Sequence, residues 1–133
     1  ESDELILIAC LGDSITHQAP TQTHHAYPAH LQDLLGDRYF VLSFGVGAAC
    51  VQAHSDKPYV ATQQFADMAD VELDIILIML GTNDTKVQNW RGCDVFCNQY
   101  RVMLDAITQA QPQATIMLMM PPPVYIDNVD GIS

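Results

Sequence analysis

The regular structure of the chain opens with an uninterrupted apolar stretch, LILIAC at residues 5–10, which leads into Gly12. An apolar run without alternation is typical of a strand that is buried on both faces of a parallel sheet. Asp13 and Ser14 follow at once, so a hydroxyl group stands at the carboxyl end of the predicted strand. The stretch therefore predicts the first strand of an α/β sheet.

Further apolar runs alternate with helical stripes along the rest of the chain. Strands are predicted at residues 39–44, 75–80 and 115–120, and helices at residues 27–35, 59–69 and 96–107. The order β-α-β-α-β-α-β predicts a three-layer α/β/α domain with a parallel sheet wound on both faces. The functional site of such a sheet lies at the carboxyl ends of its strands, so the residues that follow each strand are the candidates for that site.

The composition fits one domain that spans residues 1–133. The apolar fraction is 49% and the mean hydropathy is +0.09, which exclude a disordered chain. Five basic residues stand against 16 acidic ones, and the net charge of −11 argues against nucleic acid and against an anionic membrane surface as partners. No apolar run approaches the roughly 20 residues of a membrane-spanning helix.

The cysteines predict neither a disulfide scaffold nor a metal site. There are four of them, Cys10, Cys50, Cys93 and Cys97, and they are scattered. Cys10 ends an apolar run and is predicted to be a small buried hydrophobic residue. Cys93 and Cys97 have the spacing of a ligand pair, but no histidine lies beyond His54 to complete a zinc site. We therefore expect no metal and no cofactor. The cysteines leave the compartment open, and we favour an extracellular or periplasmic one.

Two strand ends carry residues suited to acyl transfer. Ser14 follows the first strand, where Gly12 permits a tight turn and the amino end of a helix would orient backbone N–H groups. Asn83 follows the third strand and offers an amide that could donate to an oxyanion. Each residue alone also fits an ordinary turn or a helix cap. Their joint position at neighbouring strand ends favours the chemical interpretation.

Three motifs together resemble the SGNH (GDSL-type) esterases and lipases. They are GDSIT at residues 12–16, FGVGA at 44–48 and LGTND at 80–84, and the resemblance extends from Ile8 to about Tyr125. It implies a flavodoxin-like parallel sheet with the strand order 2-1-3-4, followed in the family by a fifth strand. The dipeptide NW at 89–90 and the stretch PPPVY at 121–125 resemble the branch that acts on acylated carbohydrates.

The resemblance also implies a division of roles. Ser14 would attack an ester carbonyl, and the oxyanion would be held by the backbone N–H of Ser14, the backbone N–H of Ala48 and the side chain of Asn83. Asp13 would shape the turn rather than move protons. A further set is expected to line the substrate site: Asp13, Gly47, Asp84 and His17.

The second motif departs from the family pattern Asn-x-Gly-x-x-Gly. Ser43 stands in place of the asparagine, and Ala48 stands in place of the glycine that donates to the oxyanion. Alanine keeps the N–H group, so the donor survives if its backbone angles suit a Cβ. A positive φ would strain Ala48 or misdirect its N–H.

A larger departure concerns the catalytic base. The family uses a histidine with an aspartate three residues before it, and none of the five histidines here has that neighbour. We expect the chain to stop before the family's last helices, fifth strand and base. His17, three residues after Ser14, is a substitute candidate, although a position at the pocket rim is the simpler interpretation. His24 and His25 precede the first predicted helix and could contact substrate, although a surface position is again the simpler interpretation.

These observations predict a serine esterase that hydrolyses O-acyl esters, in particular O-acetyl esters of carbohydrates. The alternative is a non-catalytic relative that binds acylated ligands. A receiver module with the same winding is disfavoured, because it needs paired acidic residues after the first strand and an aspartate that ends the third.

Residues 116–120 would form an uncharged apolar edge strand. We expect it to pair with a second copy, a swapped segment or a bound C-terminal fragment.

Overall fold

A computed structural model of the chain describes residues 4–17 and 25–122. Four parallel strands form its sheet: β1 (Ile6–Gly12), β2 (Tyr39–Gly45), β3 (Ile75–Met79) and β4 (Thr115–Leu118). They are arranged in the order β2-β1-β3-β4. The predicted α/β fold with a parallel 2-1-3-4 sheet is therefore confirmed.

Three α-helices connect the strands: α1 (Tyr27–Leu35), α2 (Gln63–Ala69) and α3 (Cys93–Ala110). The prediction of one helix over residues 59–69 is wrong, because a short 3-10 helix, Tyr59–Ala61, comes first and Thr62 separates it from α2. Thr62 is extended, with φ −89° and ψ 157°, and its side chain accepts a hydrogen bond from the Phe65 N–H at 3.3 Å. Threonine favours this N-cap geometry over a helix interior.

Strand β4 is shorter than predicted and lies at the edge of the sheet. It ends at Leu118 rather than at residue 120, although the Met119 N–H still donates to the Ile78 carbonyl at 2.8 Å. Prolines follow from Pro121 onward, and they lack the N–H group that a longer ladder would need. Met117 and Leu118 remain 53% and 56% exposed.

The main core cluster lies between the sheet and the helices α2 and α3. Its fully buried members come from strands, helices and connections: Ala9, Leu11, Tyr59, Met68, Leu73, Ile76, Ile78 and Ile107. Tyr59 keeps its one polar atom satisfied, since its hydroxyl donates to the Phe44 carbonyl at 2.6 Å. Cys10 is fully buried, as predicted. Continuous apolar runs in β1 and β3 thus fill both faces of the central strands.

One buried amide organises the amino-end edge of the sheet. Gln111, which is 2% exposed, donates through Nε2 to the carbonyls of Met68, at 2.9 Å, and Val71. Its Oε1 accepts from the Leu73 N–H at 3.2 Å. Gln111 therefore joins the end of α2 to the segment that enters β3, at the edge opposite the carboxyl ends of the strands.

The carboxyl ends of β1, β2 and β3 lie level with one another. Gly12 of β1 is in register with Gly45 of β2 on one side and with Met79 of β3 on the other. The connections that leave these strands therefore start from a common edge. No helix in the part of the chain that the structure describes is long and apolar enough to cross a bilayer.

Candidate active site

Ser14 lies in a hydrogen-bonded turn directly after β1, and its side chain is exposed. Asp13 builds this turn: its carbonyl accepts from the N–H groups of Thr16, at 3.1 Å, and His17, at 3.0 Å. Its Oδ1 also accepts from the Ile15 N–H at 2.9 Å. Residues 14–17 are not an α-helix, so the expected helix start at Ser14 is wrong, and local hydrogen bonds to Asp13 hold the turn instead.

Gly12 and Gly45 let the backbone of this turn come close to the sheet. A Cβ on Gly12 would lie 2.1 Å from Thr16 Oγ1 and 2.9 Å from the Met79 carbonyl oxygen. A Cβ on Gly45 would lie 2.5 Å from the backbone nitrogen of His17. Side chains at either position would push the turn that carries Ser14 away from the strand ends.

Ala48 adopts the left-handed conformation, with φ 66°. It is the one non-glycine residue with a positive φ among residues 4–17 and 25–122. The segment is held to β1 by the Val46 N–H, which donates to the Gly12 carbonyl at 2.9 Å. Because φ is positive, the Cβ of Ala48 strains the backbone at a position where the family pattern has glycine. Ser43 donates from its hydroxyl to the Thr16 carbonyl at 3.2 Å and so joins β2 to the Ser14 turn.

Asn83 begins a 3-10 helix, Asn83–Thr85, that follows β3. Its Nδ2 lies 3.4 Å from Asp13 Oδ2 and 3.3 Å from the Ala49 carbonyl oxygen, and the residue is 6% exposed. One side chain thus joins the ends of β1 and β3 to the segment that follows β2. The three sequence motifs meet through these contacts. The convergence of the Ser14 hydroxyl, the Ala48 N–H and the Asn83 amide on one cleft stays a prediction.

Asp84 is fully buried and accepts three hydrogen bonds. They come from the Val51 N–H at 2.9 Å, the Gln52 N–H at 2.9 Å and Gln52 Nε2 at 3.1 Å. The carboxylate therefore fixes the loop after Ala48 to the residue after Asn83. Gly47 is half-buried, and no atom lies within 4 Å of the place where its Cβ would be.

Two buried residues that the sequence analysis did not assign to the site complete this network. Gln52 is fully buried and Asn89 is 1% exposed. Asn89 Nδ2 donates to the Asn83 carbonyl at 3.0 Å, and the Asn89 carbonyl accepts from Gln52 Nε2 at 3.2 Å. The only signal in the sequence was the NW dipeptide at residues 89–90, which carried a family resemblance and no structural role.

Burial sets the electrostatics of the site. Burial raises the pKa of the Asp13 carboxyl, against the hydrogen bond from Ile15, and the nearby charge of Asp84 raises it further. Burial likewise raises the pKa of Asp84, although the backbone hydrogen bonds from Val51 and Gln52 counteract part of this effect. Two acidic groups with raised pKa values thus flank Asn83.

The histidines are spread around the molecule. His17 is half-buried in the Ser14 turn, and its backbone packs over Gly45. His25 is exposed beside His30, with ring centroids 6.4 Å apart, and His54 Nε2 lies 2.9 Å from the Asn89 carbonyl oxygen. His24 lies outside the described residues. Among the described residues, no histidine is hydrogen bonded to Ser14 and no group of three His, Cys, Asp or Glu side chains could hold a metal ion.

Two cavities flank the strand ends. One, of about 450 Å³, lies between α1 and β2 and is bordered by Thr16 and His25. The other, of about 370 Å³, is almost wholly apolar and lies between α3 and β4, with Gly81, Trp90, Phe96 and Met119 among its lining residues. Trp90 is 39% exposed and packs on Phe96, with ring centroids 5.7 Å apart. The second cavity adjoins the loop that carries Asn83.

Comparisons with known proteins agree with the motifs. A sequence profile of the GDSL-like Lipase/Acylhydrolase family matches residues 10–131. An acetylxylan esterase from Xylanibacter ruminicola is 36% identical over 114 residues, which make up 83% of this chain and 24% of that protein. The chain therefore spans about a quarter of the length of that relative.

Solved structures share the fold. The inhibitor-bound aryl esterase of M. smegmatis superposes with a TM-score of 0.76 at 22% identity, over 90% of this chain and 66% of that one. A carbohydrate acetylesterase from Sinorhizobium meliloti gives a TM-score of 0.70 at 22% identity, over 90% of this chain and 65% of that one. Identities this low show the fold alone. The family profile covers most of the chain, and the chain belongs to the GDSL-like Lipase/Acylhydrolase family of ester hydrolases.

Proposed function

We propose that this chain is a serine esterase that hydrolyses O-acyl esters, and in particular O-acetyl groups on carbohydrates. The observation that carries the proposal is the position of Asn83, whose amide nitrogen contacts both Asp13, the neighbour of Ser14, and Ala49, the neighbour of Ala48. A nucleophile and two potential oxyanion donors therefore lie on segments that are joined to one another.

In the proposed reaction the Ser14 hydroxyl oxygen bonds to the ester carbonyl carbon while its proton passes to a general base. The carbonyl oxygen becomes an oxyanion, held by the N–H groups of Ser14 and Ala48 and by Asn83 Nδ2. The ester C–O bond then breaks and the alcohol leaves with a proton. Water repeats the sequence on the acylated serine. His17, in the same turn as Ser14, is the first candidate for the base to test.

The hydrogen bonds of Asn83 suit this role because they are weak. At 3.3 and 3.4 Å they exceed the usual range of about 2.7–3.2 Å for N–H···O bonds. An oxyanion accepts a shorter, charge-assisted bond that is roughly twice as strong. The amide can therefore exchange a long bond for a short one as negative charge develops, which stabilises the transition state more than the bound ester.

We propose O-acetylated carbohydrate as the substrate class. It is supported by the 36% identity to an acetylxylan esterase and by the exposed Trp90 beside the loop that carries Asn83. An aromatic face of this kind can pack on the apolar face of a sugar ring. His17 and Gly47, at the rim of the strand ends, are proposed to contact the substrate.

The experiment compares the chain with its Ser14→Ala variant on p-nitrophenyl acetate and acetylated xylan, together with labelling by a fluorophosphonate probe. We expect labelling and hydrolysis in the parent chain and neither in the variant. Asn83→Ala should lower kcat by a factor of about 10²–10³. If hydrolysis is robust, His17→Ala tests whether His17 is the base. Without a base, only about 10³-fold catalysis over water is expected.

The alternative, a non-catalytic domain that binds acylated ligands, makes the opposite prediction. Ser14 would then resist the fluorophosphonate, and acetylated xylo-oligosaccharides would bind without turnover. Calorimetric titration with acetylated and deacetylated xylo-oligosaccharides separates the two cases. Binding that depends on the acetyl group, in a chain that does not label, would overturn the esterase proposal.

A further inference from the structure

We infer that Asp84 and Asn89 are positioning residues that fix the distance between the two proposed oxyanion donors, Ala48 and Asn83. The inference rests on the proposed function of those donors. For Asp84 it replaces the substrate contact expected from the sequence. We call Asp84, Asn89 and Gln52 together the clamp.

Asp84 holds the loop that follows Ala48. Its carboxylate is fully buried, and its two oxygens accept from successive backbone N–H groups, those of Val51 and Gln52, each at 2.9 Å. Ionised carboxylates make the stronger class of hydrogen bond, and two parallel bonds also fix the direction of the loop. Because Asp84 is covalently joined to Asn83, it transmits the position of this loop to the second donor.

Asn89 closes the network from the other side. Its Nδ2 donates to the Asn83 carbonyl at 3.0 Å, and its Oδ1 accepts from the Asp56 N–H at 3.0 Å. Its own carbonyl accepts from Gln52 Nε2 at 3.2 Å. Asn89 therefore binds the backbone of Asn83 and the loop after Ala48 at once, and it is 1% exposed. A residue so buried acts through its neighbours and not on a substrate.

Oxyanion stabilisation depends on this geometry more than substrate binding does. Donors must stand about 2.7–3.1 Å from the position that the oxyanion reaches, and misplacement by about 1 Å can cost about 10²-fold in rate. The ester in its ground state makes weaker demands on these donors. Damage to the clamp should therefore lower kcat and leave KM nearly unchanged.

The test uses Asp84→Asn and Asn89→Ala, with Gln111→Ala as the matched control. The first variant turns an amide N–H toward a backbone N–H, and the second removes the tie to Asn83. Gln111 is likewise a buried side chain with several backbone partners, but it lies at the opposite edge of the sheet. We expect kcat to fall by about 10–100-fold in both clamp variants with KM within about threefold. The control should lower Tm and keep kcat within about twofold.

Several outcomes would overturn the inference: an equal fall of kcat in Gln111→Ala, a rise in KM alone, or clamp variants that match the parent. If Asp84→Asn does not fold, Gln52→Ala replaces it, because it removes the bonds from Nε2 to Asp84 and to the Asn89 carbonyl and leaves both backbone bonds to Asp84. The same expectations then apply at a smaller amplitude.

Failure of the proposed function has a separate signature, namely a parent chain that neither labels with a fluorophosphonate nor hydrolyses esters. Amide hydrogen exchange then decides on the clamp by itself. One of the two N–H groups of Val51 and Gln52 should exchange at least about tenfold faster in Asp84→Asn than in Gln111→Ala, since asparagine keeps only one of the two oxygens that accept from them. Equal exchange in the two variants would show that Asp84 fixes nothing.

Discussion

The side-chain nitrogen of Asn83 lies 3.4 Å from Oδ2 of Asp13, so a single polar pair joins the ends of β3 and β1. Asp13 is 1% exposed, and Asp84, the residue after Asn83, is fully buried. One buried carboxyl group thus contacts the Asn83 amide, and a second belongs to the residue that follows Asn83 in the chain. The protonation states of Asp13 and Asp84 therefore affect the free energy of unfolding as well as the geometry of the site.

The first prediction concerns pH. Burial raises the pKa values of Asp13 and Asp84 above their ordinary 3.8. The folded chain therefore binds protons more tightly than the unfolded chain. This contribution to stability is fully present below about pH 3.8 and is lost as the pH rises through the raised values. In urea denaturation between pH 4 and pH 8, we expect the free energy of unfolding to fall as the pH rises. Asp13→Asn should make this fall smaller.

The control for this experiment is Asp105→Asn, which removes one negative charge from an exposed position on α3. It corrects for general charge repulsion in a chain of net charge −11. A pH dependence that is identical in the parent chain and in both variants would contradict the prediction.

The second prediction concerns Ala48, whose φ of 66° is unfavourable for a residue with a Cβ. Glycine removes a strain of about 1–2 kcal/mol, partly offset by the greater freedom of glycine in the unfolded chain. Ala48→Gly should therefore raise the free energy of unfolding by about 0.5–1 kcal/mol. If Ala48 donates to the oxyanion, kcat should not fall. Chemical denaturation and ester hydrolysis measure the two effects.

Ala49→Gly is the matched control, because Ala49 is its neighbour, is fully buried and has no positive φ. Glycine there loses packing and adds freedom to the unfolded chain, so this variant should be destabilised by about 1 kcal/mol. Equal destabilisation of both variants would mean that Ala48 is not strained.

The sequence predicted the sheet well because its signals are local. The apolar runs at residues 5–10 and 75–80 needed no knowledge of their neighbours to be identified as buried strands. The break between the 3-10 helix and α2 at Thr62 could not be predicted in this way. The hydrophobic stripe around a threonine is the same whether that threonine caps a helix or lies inside one. Local patterns therefore predicted all four strands, but they missed the break at Thr62, the end of β4 at Leu118 and the turn at Ser14.

The clamp could not be predicted from the sequence, for a different reason. Gln52 and Asn89 are 37 positions apart, and nothing in either neighbourhood shows that their polar atoms meet. Ser14 and Asn83 could be singled out because strand ends and family motifs mark them. Residues that act by holding such groups have no pattern of their own, and only the folded chain brings them together.

The third prediction tests the close approach at Gly45. Gly45→Ala would place a methyl group 2.5 Å from the backbone nitrogen of His17, so the turn that carries Ser14 must move. We expect a loss of about 1–3 kcal/mol of stability and a marked fall in fluorophosphonate labelling. The parent chain is the reference for both measurements. Labelling of Gly45→Ala equal to that of the parent chain would show that the turn tolerates displacement.

The last prediction concerns the edge strand β4. Met117 and Leu118 are 53% and 56% exposed, and Met120 beyond them is 89% exposed. In the part of the chain that the structure describes, no strand pairs with the outer side of β4. An apolar edge with free hydrogen-bonding groups favours pairing with another strand, and burying each large side chain yields on the order of 1 kcal/mol.

We therefore expect the 133-residue chain to associate with a second copy through β4. Size-exclusion chromatography with light scattering should give a mass above 14.7 kDa that falls on dilution. Met117→Lys should shift the mass toward the monomer, because a lysine on an edge strand opposes pairing. Val102→Lys, which adds the same charge at a 60% exposed position of α3, should not. A parent chain that stays monomeric at all concentrations would show that this edge needs no partner.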